Sequence, residues 1–393
     1  MIILLELAIS FFAVVSLIYV VYFVFVLRTK RKEEYVEKLS AIVGSTISRD
    51  ELPKVTVLIP AYNEEETMHA KIKNISEFDY PHDKIEVFVL DDSSTDKTRE
   101  IVEEAFKEFN VTGKILRNET RRGVNYSYNQ AVAQVGSEYI LTTDADAIIP
   151  QDSMLSLVKI LTNLKDVGAV AARMVPAHNK TTAATRTAEA YADSYNSMLL
   201  AESAIFSTFP GSTSCMLMRK SAFSAISTSY GSSDGNISLS IIRKGFRFIL
   251  APNVLYYEPV SQKIPEQRRQ KVRRGTRLIQ SSLLNLGIIS SQKYGMFSRI
   301  IFPARLLMMT LCPILVLFSL FLFLAFTLFL SSYLFPAFLA FVAFVVVLGI
   351  KTDIKSLNLA ASFLVHQTYL FVGLLLSYRK MKVWKKIERR ITS

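Results

Sequence analysis

The sequence predicts an α/β domain with a mostly parallel sheet, joined to helices that span a membrane. Three observations support this prediction. β-branched runs alternate with helical segments between residues 55 and 143, which is typical of a parallel sheet with crossover helices. Apolar segments of membrane-spanning length occur at residues 2–27 and again after residue 306. Acidic residues directly follow several predicted strands, so we expect one acidic edge on the sheet.

Length and net charge limit the classes of protein to which this chain could belong. The chain has 393 residues, is 50% hydrophobic and carries a net charge of +12, so a soluble domain and membrane segments both fit. The basic residues concentrate beside apolar segments, which favours contact with membrane lipids and argues against nucleic acid. Cys215 and Cys312 are far apart, and they indicate neither a disulfide framework nor a zinc site.

The amino-terminal segment, residues 1–30, is predicted to be a transmembrane helix, with Glu6 its only acidic residue. A signal peptide is the alternative, but the apolar run is longer than usual and has no basic stretch before it. Basic residues at 28–32 are expected to stay on the cytoplasmic side, so the following domain should be cytoplasmic. Residues 31–53 are polar and are predicted to be a linker that could contain a short helix.

Strands and helices alternate after the linker. Pro60 is expected to end the first strand, and Asn63 to cap a helix whose first turn holds three glutamates. An amphipathic helix is expected at about residues 97–109 after the second strand. The predicted strands of this half are Val55–Ile59, Ile85–Leu90, Lys114–Leu116 and Tyr139–Thr143.

Three sets of carboxylates are predicted at the ends of these strands. Glu64 follows the first strand, Asp91 and Asp92 the second, and Asp144 and Asp146 the fourth. Ligands of open α/β sheets gather at this edge. Carboxylates one residue apart suit a hard divalent cation shared with substrate phosphates, although a solvated turn is the alternative. The sequence has no glycine-rich phosphate loop, so a phosphate-bearing ligand would need such a cation.

The segments VTVLIPAYNEEET, VFVLDDSSTDKT and ILTTDADAIIPQDSM resemble the nucleotide-sugar half of family 2 glycosyltransferases, in order and spacing. The resemblance is strong over residues 55–160 and looser over 160–275, and it implies a Rossmann-like GT-A domain over 54–275. It also implies a UDP- or GDP-linked sugar donor. The donor-binding residues would be Pro60, Tyr62, Glu64, Asp91, Asp92 and Asp144, and Asp146 with Asp144 would bind Mg²⁺ or Mn²⁺.

One stretch departs from the family pattern. Many relatives carry G-K-A-x-A-L-N where this chain has RRGVNYSYN, so Gly123 fits but Val124 replaces the lysine. Either Arg121 or Arg122 could supply the missing positive charge. The alternative is an ordinary solvated basic turn.

Asp234 is the candidate catalytic residue. Family members have an acid followed by x-x-L-x-L and then G-[YF]-[RK], and Asp234 occupies the acid position, with Gly245 at the glycine. The resemblance implies that Asp234 takes the acceptor proton in an inverting transfer. The alternative is a capping role for a helix predicted at about residues 235–244. Further expected elements are a helix at 181–205 beside the acceptor channel, a loop at Gly211–Ser214 and a strand at Met216–Arg219.

A third motif is weaker. Processive members carry Q-x-x-R-W, and alignment on Gly275 places Arg268, Lys271 and Val272 at the Gln, Arg and Trp positions. The missing tryptophan argues against a polysaccharide synthase. Arg268 and Lys271 are expected to bind the donor diphosphate or an acceptor lipid phosphate, and a helix resting on lipid head groups is the alternative.

The carboxyl-terminal part is predicted to be membrane-embedded. Apolar runs at 306–330, 334–350 and 357–377 would make three crossings, which would put the basic tail outside. Either the last run does not cross fully or the second does not cross. His366 is expected in helix packing or an acceptor pocket. The predicted regions are interfacial helices at 276–300, transmembrane helices at 301–378 and a basic cytoplasmic tail at 379–393.

Together these features predict inverting, metal-dependent transfer of a sugar to a lipid or lipid-linked glycan acceptor, by a multi-pass protein of the cell membrane with a cytoplasmic catalytic domain. A processive polysaccharide synthase with coupled export is the alternative. A non-enzymatic membrane receptor is the third possibility, and it predicts loss of Asp92, Asp146 or Asp234, all of which are present.

Overall fold

A computed structural model describes residues 2–29, 31–178, 183–211, 213–261, 264–289, 291–331, 333–351 and 355–380. One seven-stranded sheet forms the centre of this part of the chain. Its strands are β1 (Val55–Ala61), β2 (Ile85–Asp91), β3 (Gly113–Arg117), β4 (Tyr139–Thr143), β5 (Val167–Ala177), β6 (Cys215–Arg219) and β7 (Arg247–Pro259).

The strand order is β3–β2–β1–β4–β6–β5–β7. Strands β3, β2, β1 and β4 run parallel, and β5 and β7 are also parallel to each other. Only β6 runs antiparallel to its two neighbours, β4 and β5, among the described strands. The predicted mostly parallel α/β fold is therefore confirmed.

Helices cover both faces of the sheet and extend beyond it. Five short helical turns, His82–Lys84, Lys220–Ala222, Leu286–Ile288, Gln292–Tyr294 and Phe297–Ile301, link longer elements. The longer helices are α1 (Ile2–Leu27), α2 (Arg31–Gly44), α3 (Met68–Ser76), α4 (Thr98–Glu108), α5 (Val124–Gln134), α6 (Ser153–Asn163), α7 (Ala183–Ile205), α8 (Ser233–Arg243), α9 (Ile264–Leu283), α10 (Phe302–Leu330), α11 (Leu334–Lys351) and α12 (Lys355–Leu376).

Side chains of the sheet alternate between two hydrophobic cores, as the pleat requires. On β1, Val57 and Ile59 point to a core that α2, α3, α4 and α6 complete. Leu58 points to the opposite core, which contains residues of α5, α8, α9 and the beginning of α10. The apolar carboxyl-terminal helices therefore share a core with the sheet.

The first strand continues past Pro60, so the prediction that this proline ends the strand was wrong. Pro60 pairs with Leu90 of β2, whereas β4 pairs with β1 only as far as Leu58. Pro60 thus has a partner strand on one side only, where a missing N–H is tolerated.

Asn63 does not cap α3, contrary to the prediction. Thr67 occupies the residue before α3, and Asn63 has a positive φ of 56°. Its backbone N–H donates to Oγ of Ser94 at 3.0 Å, which ties the turn after β1 to the turn after β2. Asparagine tolerates this left-handed backbone better than most residues, so the same residue type suits either role.

The predicted linker at residues 31–53 is largely the 14-residue helix α2. Leu39 of this helix is buried, and the Tyr35 hydroxyl donates to the Leu250 carbonyl at 2.8 Å, so α2 packs on the sheet domain. Helix α9 continues to Leu283, beyond the boundary predicted at residue 275. Both differences have one cause. An amphipathic helix buries one face against the domain, but its overall composition is polar, so composition alone does not reveal that it belongs to the domain.

Among the described residues, two helices are long and apolar enough to cross a membrane, at Ile2–Val26 and Phe297–Leu330. Shorter apolar stretches occupy Leu334–Phe344 and Ala361–Leu376 within the described part of the chain. Helices α1 and α10 pack together, with Val15 among their buried residues. Trp384 and most of the predicted basic tail lie outside the described residues.

Candidate active site

The carboxyl ends of β1, β2 and β4 lie side by side. Ala61 at the end of β1 pairs with Asp91 at the end of β2, and β4 flanks β1 on its other side. The Asp92 N–H donates to the Ala61 carbonyl at 2.9 Å, which extends the ladder by one residue. Parallel pairing therefore brings the acids after β2 and β4 to one edge of the sheet.

Asp92 anchors the turn that precedes α5. Its Oδ1 accepts hydrogen bonds from Asn118 Nδ2 at 2.8 Å and from the Arg122 N–H at 2.7 Å. Its Oδ2 accepts from the Gly123 N–H at 2.9 Å. Gly123 has a φ of 89°, a conformation that favours glycine, and it is the residue before α5. The carboxylate and the glycine together fix the start of this helix.

Asp91 supports the turn after β2. Its Oδ1 accepts from the Ser94 N–H at 2.8 Å, and its Oδ2 lies 3.4 Å from Arg117 Nε. The side chain is 1% exposed. Asp91 therefore acts on the protein's own loops, and a direct role in donor binding stays a prediction.

Tyr62 and Arg121 form a stacked pair at the same edge. The Arg121 guanidinium lies 3.5 Å from the centre of the Tyr62 ring, and its Nε is 4.0 Å from Oδ2 of Asp92. Arg122 is exposed and lies 4.5 Å from the Tyr126 ring instead. Arg122 contacts Asp92 through its backbone N–H. The guanidinium of Arg121, in contrast, lies against the side chains of two predicted donor-binding residues, Tyr62 and Asp92.

Glu64 lies in the turn between β1 and α3. Its backbone N–H donates to Oγ1 of Thr98 at 2.7 Å, and its carboxylate accepts a hydrogen bond from Thr67 at 3.0 Å. The side chain is half-buried. Glu64 is therefore held at the same edge, next to the Asn63 turn.

A buried lysine that sequence reasoning missed lies beneath the turn of Asp144 and Asp146. Lys71 of α3 donates to Oγ1 of Thr143 at 2.7 Å and to the Ala147 carbonyl at 2.8 Å, which are the residues flanking the turn. Lys71 is 2% exposed, and burial lowers the pKa of its ammonium to about 8. A sequence signal existed, because Lys71 falls in the otherwise apolar buried stripe of α3.

A second missed residue is Glu258, near the end of β7. It is 2% exposed and forms an ion pair with Arg274 of α9. The Ser214 hydroxyl lies 2.7 Å from Oδ2 of Asp144 and 3.3 Å from Oε2 of Glu258, so its single proton can be donated to either. One serine thus connects the turn after β4 with the basic helix α9.

Asp234 lies in the first turn of α8, and it does not cap this helix. Ser232 is the capping residue, and its hydroxyl accepts from the Gly235 N–H. Oδ2 of Asp234 accepts from the Thr213 N–H at 3.1 Å. Burial, and then the nearby charge of Asp144, raise the pKa of Asp234 to about 8. The carboxylate is therefore directed at the loop after α7, and the capping alternative was wrong.

The acidic edge fits a divalent cation that is shared with a phosphate ligand. The described residues contain no cluster of three or more side chains that could enclose a metal by themselves. Mg²⁺ typically needs only one or two carboxylates when phosphates and waters complete its shell, and Asp144 with Asp146 can supply these. The negative charge of Asp144, which adds to the effect of burial on the pKa of Asp234, would also attract a cation.

A cavity of about 300 Å³ adjoins this edge. Thr213 and Glu258 line it and also belong to the acidic site. His366 lines it, and its role in an acceptor pocket stays a prediction. Arg268 is exposed and is not among the lining residues. The other lining residues include Lys271 and Arg274 of α9 and the apolar Phe23, Met198, Leu278 and Met309.

Residues 56–227 match the family model of Glycosyl transferase family 2. Among curated proteins, the Beta-monoglucosyldiacylglycerol synthase of Nostoc sp. is 37% identical over 131 residues, which is 33% of this chain and 28% of that protein. The dolichyl N-acetyl-alpha-D-glucosaminyl phosphate 3-beta-D-2,3-diacetamido-2,3-dideoxy-beta-D-glucuronosyltransferase of Methanococcus voltae is 29% identical over 112 residues, 28% of this chain and 35% of that protein. The chain thus matches only about a third of each relative's length.

A solved structure extends the likeness to nearly the whole fold. The mannosyltransferase PcManGT of Pyrobaculum calidifontis, determined in complex with GDP-Man and Mn²⁺, superimposes with a TM-score of 0.72 and 24% identity. The match covers 95% of this chain and 99% of that protein. The sheet domain and the apolar helices of this chain therefore occur together in a solved structure with the same fold.

Proposed function

We propose that this chain, which carries a family 2 glycosyltransferase domain at residues 56–227, transfers a sugar from a nucleotide donor to a lipid or lipid-linked acceptor. The proposal depends on one observation: the cavity adjoins the acidic edge of the sheet. Thr213 holds Asp234 and also lines the cavity, and apolar residues of α1 and α10 line its wall. An acceptor with an apolar tail would thus present its polar end to Asp234.

The donor nucleotide is proposed to bind over Pro60, Tyr62 and the turn anchored by Asp92, which matches the family pattern. Arg121 adds a positive charge 3.5 Å from the centre of the Tyr62 ring. A guanidinium at this distance is attracted to an aromatic face, and it can also stack on the base of a bound nucleotide. The structure of the Pyrobaculum protein contains GDP-Man, so a GDP-sugar is one candidate and a UDP-sugar the other.

Asp144 and Asp146 are the proposed ligands of Mg²⁺ or Mn²⁺, which when bound would offset the negative charge of the diphosphate leaving group. Lys71 holds the turn between them from below through its two hydrogen bonds. Ser214 fixes the Asp144 carboxylate from the side. These contacts preorganise the turn, which lowers the cost of assembling the donor site.

Asp234 is proposed to act as the general base. It would accept the proton of an acceptor hydroxyl while the acceptor oxygen bonds to the sugar carbon and the bond to the diphosphate breaks, which inverts the configuration at that carbon. The Thr213 N–H holds one carboxylate oxygen and leaves the other for the acceptor. The raised pKa of Asp234 makes its deprotonated form a stronger base than an ordinary carboxylate, which favours proton acceptance from a hydroxyl.

Membrane association supports a lipid acceptor. Helices α1 and α10 are proposed to span the membrane, with the sheet domain on the cytoplasmic side where the basic residues 28–32 lie. Lys271 and Arg274 line the cavity, and they would favour a lipid phosphate or another anionic head group. The names of both curated relatives refer to lipid products or lipid-linked acceptors.

The test is a donor screen with the purified protein in lipid nanodiscs and Mn²⁺ or Mg²⁺. Labelled UDP- and GDP-sugars are offered with and without a polyprenyl phosphate or diacylglycerol, and the lipid extract is analysed. We expect label on one lipid, and we expect Met309→Trp, which fills the cavity, to reduce this transfer while nucleotide binding persists. Long polymer made without added lipid would contradict the proposal and favour the polysaccharide synthase.

A further inference from the structure

A buried polar cluster connects α1, α7 and α10, and nothing in the donor chemistry requires it. Glu202 of α7 is fully buried, and its carboxylate accepts hydrogen bonds from the hydroxyls of Tyr22 and Thr208. Arg305 of α10 is 3% exposed and donates to Glu202 at 3.2 Å. Tyr22 is 2% exposed and comes from α1, so three separate helices meet at one carboxylate.

The cluster continues into the segment that follows α7. Arg305 donates a second hydrogen bond to the Phe209 carbonyl at 2.9 Å, and its guanidinium lies 4.1 Å from the Phe209 ring. Farther along, the Gly211 N–H donates to the Tyr195 hydroxyl at 2.8 Å. Thr213, two residues on, donates to Asp234. Residues 208–211 are therefore attached to the helices, and Thr213, which follows closely in the chain, is attached to Asp234.

Stability alone does not explain this arrangement. Removing an ion pair from water carries a desolvation penalty, and well-packed apolar residues at the same places are often at least as stable. A fully bonded buried network instead favours one arrangement of the groups around it, because any other arrangement leaves buried polar atoms without partners. The atoms that this network fixes in place include the Phe209 carbonyl, which lies in the loop after α7 and not in a helix.

We propose that Tyr22, Glu202 and Arg305 are positioning residues that hold residues 208–211 in place and, through Thr213, orient Asp234. The first helix is then part of the catalytic unit as well as an anchor. The effect on transfer rests on the proposed function, whereas the effect on the loop does not.

The test compares three variants, each of which removes one side-chain hydroxyl and its hydrogen bond. Tyr22→Phe removes the bond to Glu202 and keeps the ring. Ser319→Ala is the matched control, because Ser319 of α10 donates to the Ala8 carbonyl of α1 at 2.7 Å, far along the helix from the cluster. Thr208→Val removes the second hydroxyl from Glu202 and provides an independent variant.

Hydrogen exchange of the full-length protein in nanodiscs reads out the loop without any substrate. We expect Tyr22→Phe and Thr208→Val to speed exchange in peptides covering residues 207–214 about 10-fold, with peptides of β1 and β2 unchanged. Ser319→Ala should leave all these peptides unchanged. Unaltered exchange in the loop, or a uniform increase along the chain, would overturn the proposal.

The ratio of sugar transferred to the lipid to sugar released by hydrolysis of the labelled donor adds a functional readout. In Tyr22→Phe, the loss of Asp234 orientation should lower the ratio of lipid transfer to donor hydrolysis about 10-fold. Both rates are expressed per nucleotide-binding site, and the KM for the donor should not change. A folding defect would lower both products equally, which would contradict a positioning role. If the wild type turns over no donor, the proposed function fails, and the exchange experiment still decides this inference.

Discussion

The backbone N–H of Thr213 donates a hydrogen bond to Oδ2 of Asp234 at 3.1 Å. The next residue, Ser214, places its hydroxyl 2.7 Å from Oδ2 of Asp144. Consecutive residues of one loop therefore hold the proposed base and one of the proposed metal-binding carboxylates. This relationship sets the position of the proposed base relative to the proposed metal-binding turn.

Replacing Asp234 by Asn should remove the proposed base and keep the shape of the side chain. The amide oxygen can still accept from Thr213, but it cannot take a proton at neutral pH. Transfer is expected to fall by about 10²–10⁴-fold, the usual contribution of a general base. Transfer is measured with saturating donor, and nucleotide affinity is measured by calorimetry.

The control is Asp166→Asn, which alters an exposed carboxylate paired with Arg247 and should leave transfer unchanged. Full activity of Asp234→Asn would exclude this carboxylate as the base.

The same variant should change how stability depends on pH. The pKa of Asp234 is raised to about 8, so the folded protein keeps this proton at pH values where the unfolded chain has lost it. The contribution of this group to stability is present below the ordinary carboxyl pKa and is lost as pH rises towards 8. Asp234→Asn lacks this dependence, and its stability relative to the wild type should rise between pH 4 and 8.

Thermal unfolding midpoints in metal-free buffer measure this difference. A difference that is constant with pH would show that Asp234 titrates as an ordinary carboxyl.

Lys71→Met should loosen the turn of Asp144 and Asp146. Methionine preserves the length of the side chain, but Thr143 Oγ1 and the buried Ala147 carbonyl lose their donor. Unfolding free energy is expected to fall by about 1–3 kcal/mol, the cost of leaving a buried polar group without a partner. Denaturant unfolding of the reconstituted protein measures the change.

Lys73→Met is the matched control on the same helix. Lys73 is exposed, and its pair with Glu77 is 3.9 Å apart, so its removal should change the unfolding free energy by less than about 0.5 kcal/mol. If Lys71→Met proved more stable than the wild type, the cost of burying the ammonium would exceed the value of its two bonds.

Arg121→Ala and Arg122→Ala separate the two arginines of the turn before α5. Arg121 stacks on Tyr62 at 3.5 Å, and Arg122 is exposed above Tyr126. Loss of a cation next to a stacked base should weaken binding of UDP or GDP by about 10-fold in the first variant only. Calorimetric titration of each nucleotide measures this, and equal losses in both variants would argue against a specific role of Arg121.

The parts of the site that depend on local pattern were predictable from sequence. A buried strand followed at once by acids identified Asp144 and Asp146, and the parallel pairing of β1, β2 and β4 follows from the alternation of strands and helices. The antiparallel direction of β6 was not predicted, because a short apolar strand looks the same in either direction.

Residues whose roles depend on distant partners were missed. Lys71 reaches Thr143, which is 72 positions away, and Tyr22 reaches Glu202, which is 180 positions away. The sequence shows these residues only as a lysine in an apolar stripe and a tyrosine in an apolar helix. The cap of α8 illustrates the same limit over a short distance, because Ser232 and Asp234 both have suitable side chains and only the geometry selects Ser232.

The most direct test of the account is a transfer assay with the purified protein in nanodiscs, a labelled GDP- or UDP-sugar and a lipid acceptor. The account predicts a single sugar on the lipid with inverted anomeric configuration, made by the wild type and lost in both Asp146→Ala and Asp234→Asn. Nucleotide binding with no turnover of any donor by the wild type, or transfer that persists in Asp234→Asn, would contradict it.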